Sequence, residues 1–400
     1  MTASPTQPHS PIRLGVVGLG RAFMIMLPTF LADPRIRLVA ASDPREEALR
    51  QFAIDLGGRV YSSVEALCDD AEVDAVYIAS PHEFHAANVR AAASCGKHVV
   101  VEKPMAITLR ECETMIEAAA QAKVALLVGH SHGYDAPIAR TRDLIASQRY
   151  GDVRMIHALY YTDFMYRPRR PEELDTARGG GVVFSQGAHQ IDIVRLLGGG
   201  RVRSVRAQTG RWDPARPSEG AYSALLVFDD GAFASMTYSG YAHFDGDELV
   251  GWVGELGFAK DPTQYGRTRA ALPARLSPDE ETALKNQRTY GNTAARGSIP
   301  VGHNHFGMVL ASCERADLRP MTHGVMIYDD ERAWLDPIAA PTVPRVEVID
   351  ELADAMSSGK PPLHSGEWAM ATLEVCLAIL ESARSGAEVR LAHQCAPVLR

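Results

Sequence analysis

Two stretches of the chain hold side chains able to move protons, and a third is shaped to hold phosphate. Lys103 stands in Val101-Glu102-Lys103-Pro104, at the end of an apolar run. A lysine crowded by other polar or cationic groups has its pKa lowered, and can then give a proton to a substrate oxygen or take one from it. The other reading of this residue is a solvated lysine, with Pro104 ending a strand. The second stretch is Gly179-Gly180-Gly181-Val182-Val183-Phe184-Ser185-Gln186-Gly187-Ala188-His189-Gln190-Ile191-Asp192. As a helix it sets Ser185, His189 and Asp192 on one stripe, because they are spaced by four and three residues. That stripe reads either as an acid–base histidine or as a core histidine whose tautomer Asp192 fixes. In the third stretch the apolar run 14–17 meets Gly18-Leu19-Gly20-Arg21-Ala22. Glycine at 18 and 20 permits a tight turn and close approach to a phosphate, and a helix beginning at Arg21 presents free N–H groups and a positive dipole end.

These residues need a scaffold that brings them together, and the first third of the chain describes one. Short β-rich runs at 12–17, 36–41, 75–79, 98–101 and 124–128 alternate with helical stretches. Near-continuous apolar strands separated by helices indicate a doubly wound parallel sheet, whose strand C-termini face a ligand crevice. Asp43-Pro44-Arg45-Glu46, Ser80-Pro81-His82-Glu83 and Thr108-Leu109-Arg110-Glu111 each read as a helix start with a glutamate three positions on. Gly57 and Gly96 fit helix ends. Asp43 lies about 20 residues beyond the glycines, where an acid accepts ribose hydroxyls and repels an added 2′-phosphate. NAD is therefore expected over NADP, with Arg21 and Arg45 keeping NADP open. Phe23 stands where the third glycine of the dinucleotide pattern falls.

Composition narrows the partner class. The 400 residues are 46% hydrophobic and 22% charged, an ordinary balance for two domains. A net charge of -8 argues against nucleic acid or an anionic membrane as partner and for a small molecule. No run is apolar and long enough to span a bilayer, and residues 1–11 read as a polar, disordered tail, so a cytoplasmic location is expected. Cysteines 68, 95, 112, 313, 376 and 395 are widely spaced without a C-x-x-C pair, which argues for free thiols. His130 and His132 have H-x-H spacing, yet no carboxylate or cysteine cluster completes a metal site.

Taken together, Gly18-Leu19-Gly20, Ser80-Pro81-His82-Glu83-Phe84-His85, Gly96-Lys97-His98 and Glu102-Lys103-Pro104 resemble the glucose-fructose oxidoreductase, inositol dehydrogenase and MocA (Gfo/Idh/MocA) family. The resemblance implies an N-terminal Rossmann domain, a C-terminal α+β domain on a large open-faced, mostly antiparallel sheet, and a bound NAD(P). It makes Lys103 the catalytic lysine and His189 its acid–base partner. Gly18, Gly20, Arg21, Ala22, Asp43, Ser80, Pro81, His85, Glu102 and Lys103 itself then lie along the cofactor. The 179–192 stretch resembles the family helix G-G-G-x-x-x-D-x-x-x-H-x-x-D, with Ser185 replacing its first aspartate, which weakens a carboxylate relay there. His82 replaces a usual asparagine.

The domains are expected at 12–132 for the nucleotide, 133–343 for substrate and oligomerisation, and 344–400 for helices that close the second domain. Residues 224–228 and 232–238, joined by Asp229-Asp230-Gly231, read as a β-hairpin of the second sheet. A polar stretch at 257–301 reads as an insertion or lid. Arg167, Arg169 and Arg170 form a proline-separated cluster able to grip planar carboxylates, or else a solvated face. With His130, His132, Ser185 and His189 they make the expected substrate set. Within the family, the segments 20–30, 128–132, 166–174 and 238–244 resemble members that oxidise a phthalate cis-4,5-dihydrodiol to 4,5-dihydroxyphthalate. The alternatives are a dehydrogenase of an inositol or sugar, and a non-catalytic NAD-binding regulatory protein. An open-faced sheet must cover its apolar side, so a homodimer or homotetramer is expected.

Overall fold

Six strands form the first sheet: β1 (Ile12–Val17), β2 (Ile36–Ser42), β3 (Arg59–Tyr61), β4 (Ala75–Ile78), β5 (His98–Val101) and β6 (Leu126–Val128). Their order is β3-β2-β1-β4-β5-β6 and every pairing is parallel. The connections hold α1 (Arg21–Ala32), α2 (Glu46–Leu56), α3 (Val64–Cys68), α4 (His85–Ser94) and α5 (Leu109–Ala122). Strand order reverses between β1 and β4, so the C-terminal ends of these two strands open a crevice. The computed structural model describes residues 10–129, 131–241, 243–264, 267–272, 276–292 and 300–398.

Of the three expected helix starts, only Thr108 forms the reciprocal capping box with Glu111. Asp43 does not cap α2, which begins at Glu46 with Arg45 before it, because the Asp43 carboxylate is taken by other partners described below. Ser80 does not cap either; a short turn at His82–Phe84 precedes α4, and the Ser80 hydroxyl accepts from Asn88 at 2.9 Å. Gly57 and Gly96 do end their helices in the left-handed region.

The second half contains α6 (Ala136–Ala146), β7 (Val153–Tyr161), α7 (Ala188–Leu197), β8 (Val202–Gly210), β9 (Ala221–Phe228), β10 (Phe233–Ser239), α8 (Arg267–Ala271), α9 (Pro278–Asn286), β11 (Met308–Cys313), β12 (Ala316–Met321), β13 (Gly324–Asp329), β14 (Ala333–Pro337), α10 (Val346–Ser358), α11 (Gly366–Ser385) and β15 (Val389–Arg390). Its sheet runs β14-β13-β12-β11-β7-β10-β9-β8-β15. Among the described residues only β7 with β10 pairs parallel. Burial alternates with period two along β9 and β10, as a sheet covered on one face requires. Helices α6, α7 and α11 cover that face. The other face exposes Leu225, Phe233, Tyr328 and Leu335.

Two connections tie the halves together. The C-terminal helices do not both close the second domain. Val348, Ile349 and Leu352 of α10 join the core of the first sheet with Phe23 and Leu127. Arg345, just before α10, donates to the Ile25 carbonyl at 2.9 Å, and Thr29 donates to the Pro344 carbonyl at 2.6 Å. The expected insertion leaves after β10 and returns before β11, and it also reaches back. Tyr290 enters between Phe23 and Phe52, with ring centroids 5.4 and 6.4 Å away. Its hydroxyl donates to Asp55 at 2.7 Å and its N–H to the Leu19 carbonyl at 3.2 Å. Phe23, in the place of a third glycine, is thus part of this aromatic core.

Candidate active site

The strand ends deliver the expected groups to one edge of the first sheet. Gly18 follows β1 with φ +93°, and a Cβ there would sit 2.7 Å from the Ala79 carbonyl oxygen, so only glycine fits. Gly20 precedes α1 without any side-chain cap, and no acidic residue occupies the first turn. That leaves the helix N–H groups and Arg21 open to an anion, so a cofactor pyrophosphate fits this cradle. Asp43 ends β2 and is buried. One carboxylate oxygen accepts the Leu19 N–H at 2.7 Å, and the other accepts the Arg45 N–H at 2.8 Å and its guanidinium at 2.9 Å. The acid therefore fastens the glycine turn to the end of β2.

Lys103 follows β5 and projects into a cleft of ≈ 320 Å³ between the two sheets. Its Nζ donates to the Ser185 carbonyl at 2.7 Å. Loss of water around it lowers the Lys103 pKa, with the carboxylates of Glu102 and Glu255 opposing. Glu102 accepts from the Tyr77 hydroxyl at 2.6 Å. His85 is fully buried and does not line the cleft. Its ring spans the carbonyls of Ser80 at 2.9 Å and Pro104 at 3.0 Å, holding the β4 and β5 ends in register. His82 does line the cleft, and burial pushes its pKa down to about 3. Ala22 and Ser80 line it too, whereas Pro81 lies in an adjoining groove with Gly20.

The 179–192 stretch is helical but not uniform. A π turn at Val183–Gly187 precedes α7, adding a residue to the turn that carries Ser185. Ser185 and His189 line the cleft, while Asp192 lines a neighbouring cavity with Ser131 and Trp368. Its carboxylate accepts from the Ser131 hydroxyl and from the Trp368 indole, both at 2.5 Å. The single stripe inferred from the spacing is thus split between the cleft and the Ser131 and Trp368 partners of Asp192.

His132 lines the cleft and packs its ring against His189, centroid to centroid 4.8 Å. Its Nδ1 is 2.6 Å from Asp135 and its Nε2 3.6 Å from Glu255. Burial disfavours the charged ring, but these carboxylates outweigh it and raise the pKa to about 9. Glu255 feels burial first as well, yet His132, Arg167 and Lys103 hold it down to about 2. Sequence reading passed over Glu255, whose only signal was an acid in the stretch just before the insertion. His130 lies outside the described residues.

Arg167 and Arg169 reach the cleft as expected, though each has protein partners. Arg167 donates to Asp163 at 2.9 Å, and Arg169 donates to the Phe164 carbonyl at 2.9 Å while lying 3.5 Å above the Phe164 ring. Burial lowers Arg169 to about 10, with Glu173 opposing. Arg170 does not join them. It donates to Asn286 at 3.0 Å and lines the adjoining groove beside Gly20, Ser80 and Pro81, on the phosphate side. Arg288, from the insertion, lines the cleft in its place. Among the described residues no group of three or more His, Cys, Asp or Glu can hold a metal ion, and no helix is long and apolar enough to cross a membrane.

Comparison with known proteins agrees with the fold and the nucleotide-binding first domain. A family model described as "Oxidoreductase family, NAD-binding Rossmann fold" matches residues 12–130, and one described as "GFO/IDH/MocA C-terminal domain" matches residues 138–258. The chain is 50% identical over 377 residues to a Comamonas testosteroni protein named 1-carboxy-3-chloro-3,4-dihydroxycyclohexa-1,5-diene dehydrogenase, covering 93% of this chain and 95% of that one. It is 32% identical over 198 residues to a myo-inositol 2-dehydrogenase of Thermotoga maritima, covering 49% of this chain and 58% of that one. A crystal structure from Bordetella bronchiseptica RB50 superposes with TM-score 0.90 at 41% identity, over 95% of this chain and all (100%) of that one. The WlbA dehydrogenase of Bordetella pertussis, solved with NADH and UDP-GlcNAcA, shares the fold at TM-score 0.66 and 22% identity, over 96% and 99% of the two chains. With the parallel sheet, the glycine cradle and both family models in agreement, the chain belongs to the Gfo/Idh/MocA family and is an NAD(P)-dependent dehydrogenase.

Proposed function

We propose that this dehydrogenase oxidises a cis-dihydrodiol of an aromatic carboxylic acid, with phthalate cis-4,5-dihydrodiol as the substrate and 4,5-dihydroxyphthalate as the product. The observation that carries the reading is the convergence of Lys103, His189 and several guanidinium groups on one cleft beside the glycine cradle. Gly18, Gly20, Arg21 and Ala22 would hold the dinucleotide, which supplies a hydride acceptor when bound. Lys103, with its lowered pKa, takes the proton of the reacting hydroxyl at Nζ. His189 lies across the cleft on α7 and passes that proton on. The carbinol carbon has by then lost a hydride and its oxygen a proton, leaving a ketone whose ring tautomerises to the catechol. Aromatisation draws the reaction forward.

Positive charge favours an anionic diol over a neutral polyol. The dihydrodiol named for the Comamonas relative carries one carboxylate, and the phthalate compound carries two. The reading includes a homodimer or homotetramer that covers the open sheet face with Leu225, Phe233, Tyr328 and Leu335; a monomer mass by light scattering would disprove it. It places the enzyme in the cytoplasm, in keeping with six free thiols. The direct test is to give purified protein NAD or NADP with the dihydrodiols of phthalate and benzoate, inositols and aldoses, and to follow the reduced cofactor by absorbance. Activity confined to inositols or aldoses would replace this substrate class.

A further inference from the structure

The insertion after β10 places in the cleft a cation that forms no ion pair with a described acid, although Asp163 is near enough to favour its charge. Arg288 follows α9 and lines the same cavity as Lys103, His189 and Arg167. Its guanidinium makes no hydrogen bond or ion pair with any other described residue, and Arg21 across the cleft has none either. Partial burial first, and then repulsion among Arg21, Arg167 and Arg288, lowers the pKa of Arg21 and Arg288, with Glu255 opposing at Arg21 and Asp163 at Arg288. Crowding unpaired like charges costs free energy that a bound anion recovers.

The backbone at Arg288 is anchored by the two residues that follow it. Thr289 accepts from Arg45 at 2.5 Å, and Tyr290 is wedged between Phe23 and Phe52. Arg288 itself is solvent-exposed, so its unpaired charge stands on an anchored backbone and open to a ligand. Arg288 shares its cleft with the proton-handling pair Lys103 and His189 as well as with Arg21 of the cradle. The groove beside Gly20 and Pro81 is lined by Arg170, Lys285 and Thr289 and does not include Arg288.

We propose that Arg288 binds a ring carboxylate of the substrate, which makes the insertion a specificity element that selects acid-derived diols over neutral ones. The proposal rests on the dihydrodiol reading above, but its test does not need turnover. Phthalate itself serves as the probe, titrated into protein carrying NADH and followed by nicotinamide fluorescence. Arg288→Ala is expected to weaken phthalate binding about tenfold, the lower end for a charged hydrogen bond at a partly open site, and Arg288→Lys to restore part of it. NADH affinity stays unchanged in both variants. Equal phthalate affinity in wild type and Arg288→Ala overturns the proposal, as does a wild type that does not bind phthalate. Loss of NADH affinity alone also overturns it and assigns Arg288 to the cofactor. A wild type that binds phthalate through Arg288 but oxidises no dihydrodiol would refute the reaction and keep the anion site.

Discussion

Replacing His132 with asparagine removes a buried charge whose worth is set by its two carboxylates. The ring is 2 % exposed, with Asp135 at 2.6 Å and Glu255 at 3.6 Å. Moving its titration from 6.5 to about 9 corresponds to about 3 kcal/mol of stability. The sign follows from proton linkage. A folded-state pKa above the unfolded one contributes fully below 6.5 and is lost as pH rises through about 9. Denaturant midpoints of wild type and His132→Asn, measured from about pH 6 to about pH 10, are therefore expected to differ most at the acid end and to converge at the alkaline end. Most of the change falls between those two titrations. A difference that stays constant across that range would show a neutral His132 and refute the argument that Asp135 and Glu255 overcome its burial.

Two other substitutions separate chemistry from architecture. Lys103→Met keeps the length of the side chain and removes its proton, so turnover is expected to fall at least about 100-fold while NADH titration remains as in wild type. In the wild type, kcat/KM should fall as pH drops through the lowered lysine pKa; loss of NADH binding in step with turnover would make Lys103 a structural residue. Tyr290→Ala empties an aromatic site against Phe23 and Phe52, a truncation worth about 3–5 kcal/mol when the site is buried, so proteolysis near residues 276–292 should quicken and the KM for the diol rise. Tyr290→Phe, which loses only the bond to Asp55, should cost about 1 kcal/mol and leave the KM near wild type.

The first sheet was legible in the sequence because buried parallel strands are written as unbroken apolar runs. Runs at 12–17 and 98–101 match β1 and β5 at both ends. The strand at Arg59–Tyr61 escaped notice: it is three residues long and mostly exposed, too short for any period to register. Lys103 and His189 were found from motif and resemblance, and both line the cleft. The roles of the arginines were not legible, since charge clusters do not announce their partners. Arg167 lies four residues from Asp163, a local pairing the sequence could suggest, but Arg170 meets Asn286 from more than a hundred residues away. Arg288 carried no signal beyond its type, because its value lies in lacking a partner, which only the folded arrangement shows. The π turn was hidden for a different reason. Its residues keep helical composition, and one extra residue in a turn leaves the pattern of apolar positions almost unchanged.

The arginine-lined cleft gives the molecule two electrostatic characters. The chain as a whole carries -8, so a small anion approaching from a distance meets a net repulsive body. At the cleft the sign reverses, and walls of low polarisability focus the local field outward as a funnel. A dinucleotide and the acid-derived diol proposed above are both negative, and the same opening would gather both. Near physiological ionic strength the screening length is about 8 Å, so this guidance operates only over the final approach. Added salt therefore slows capture of either reactant while leaving proton transfer at Lys103, deep inside, nearly as fast as before.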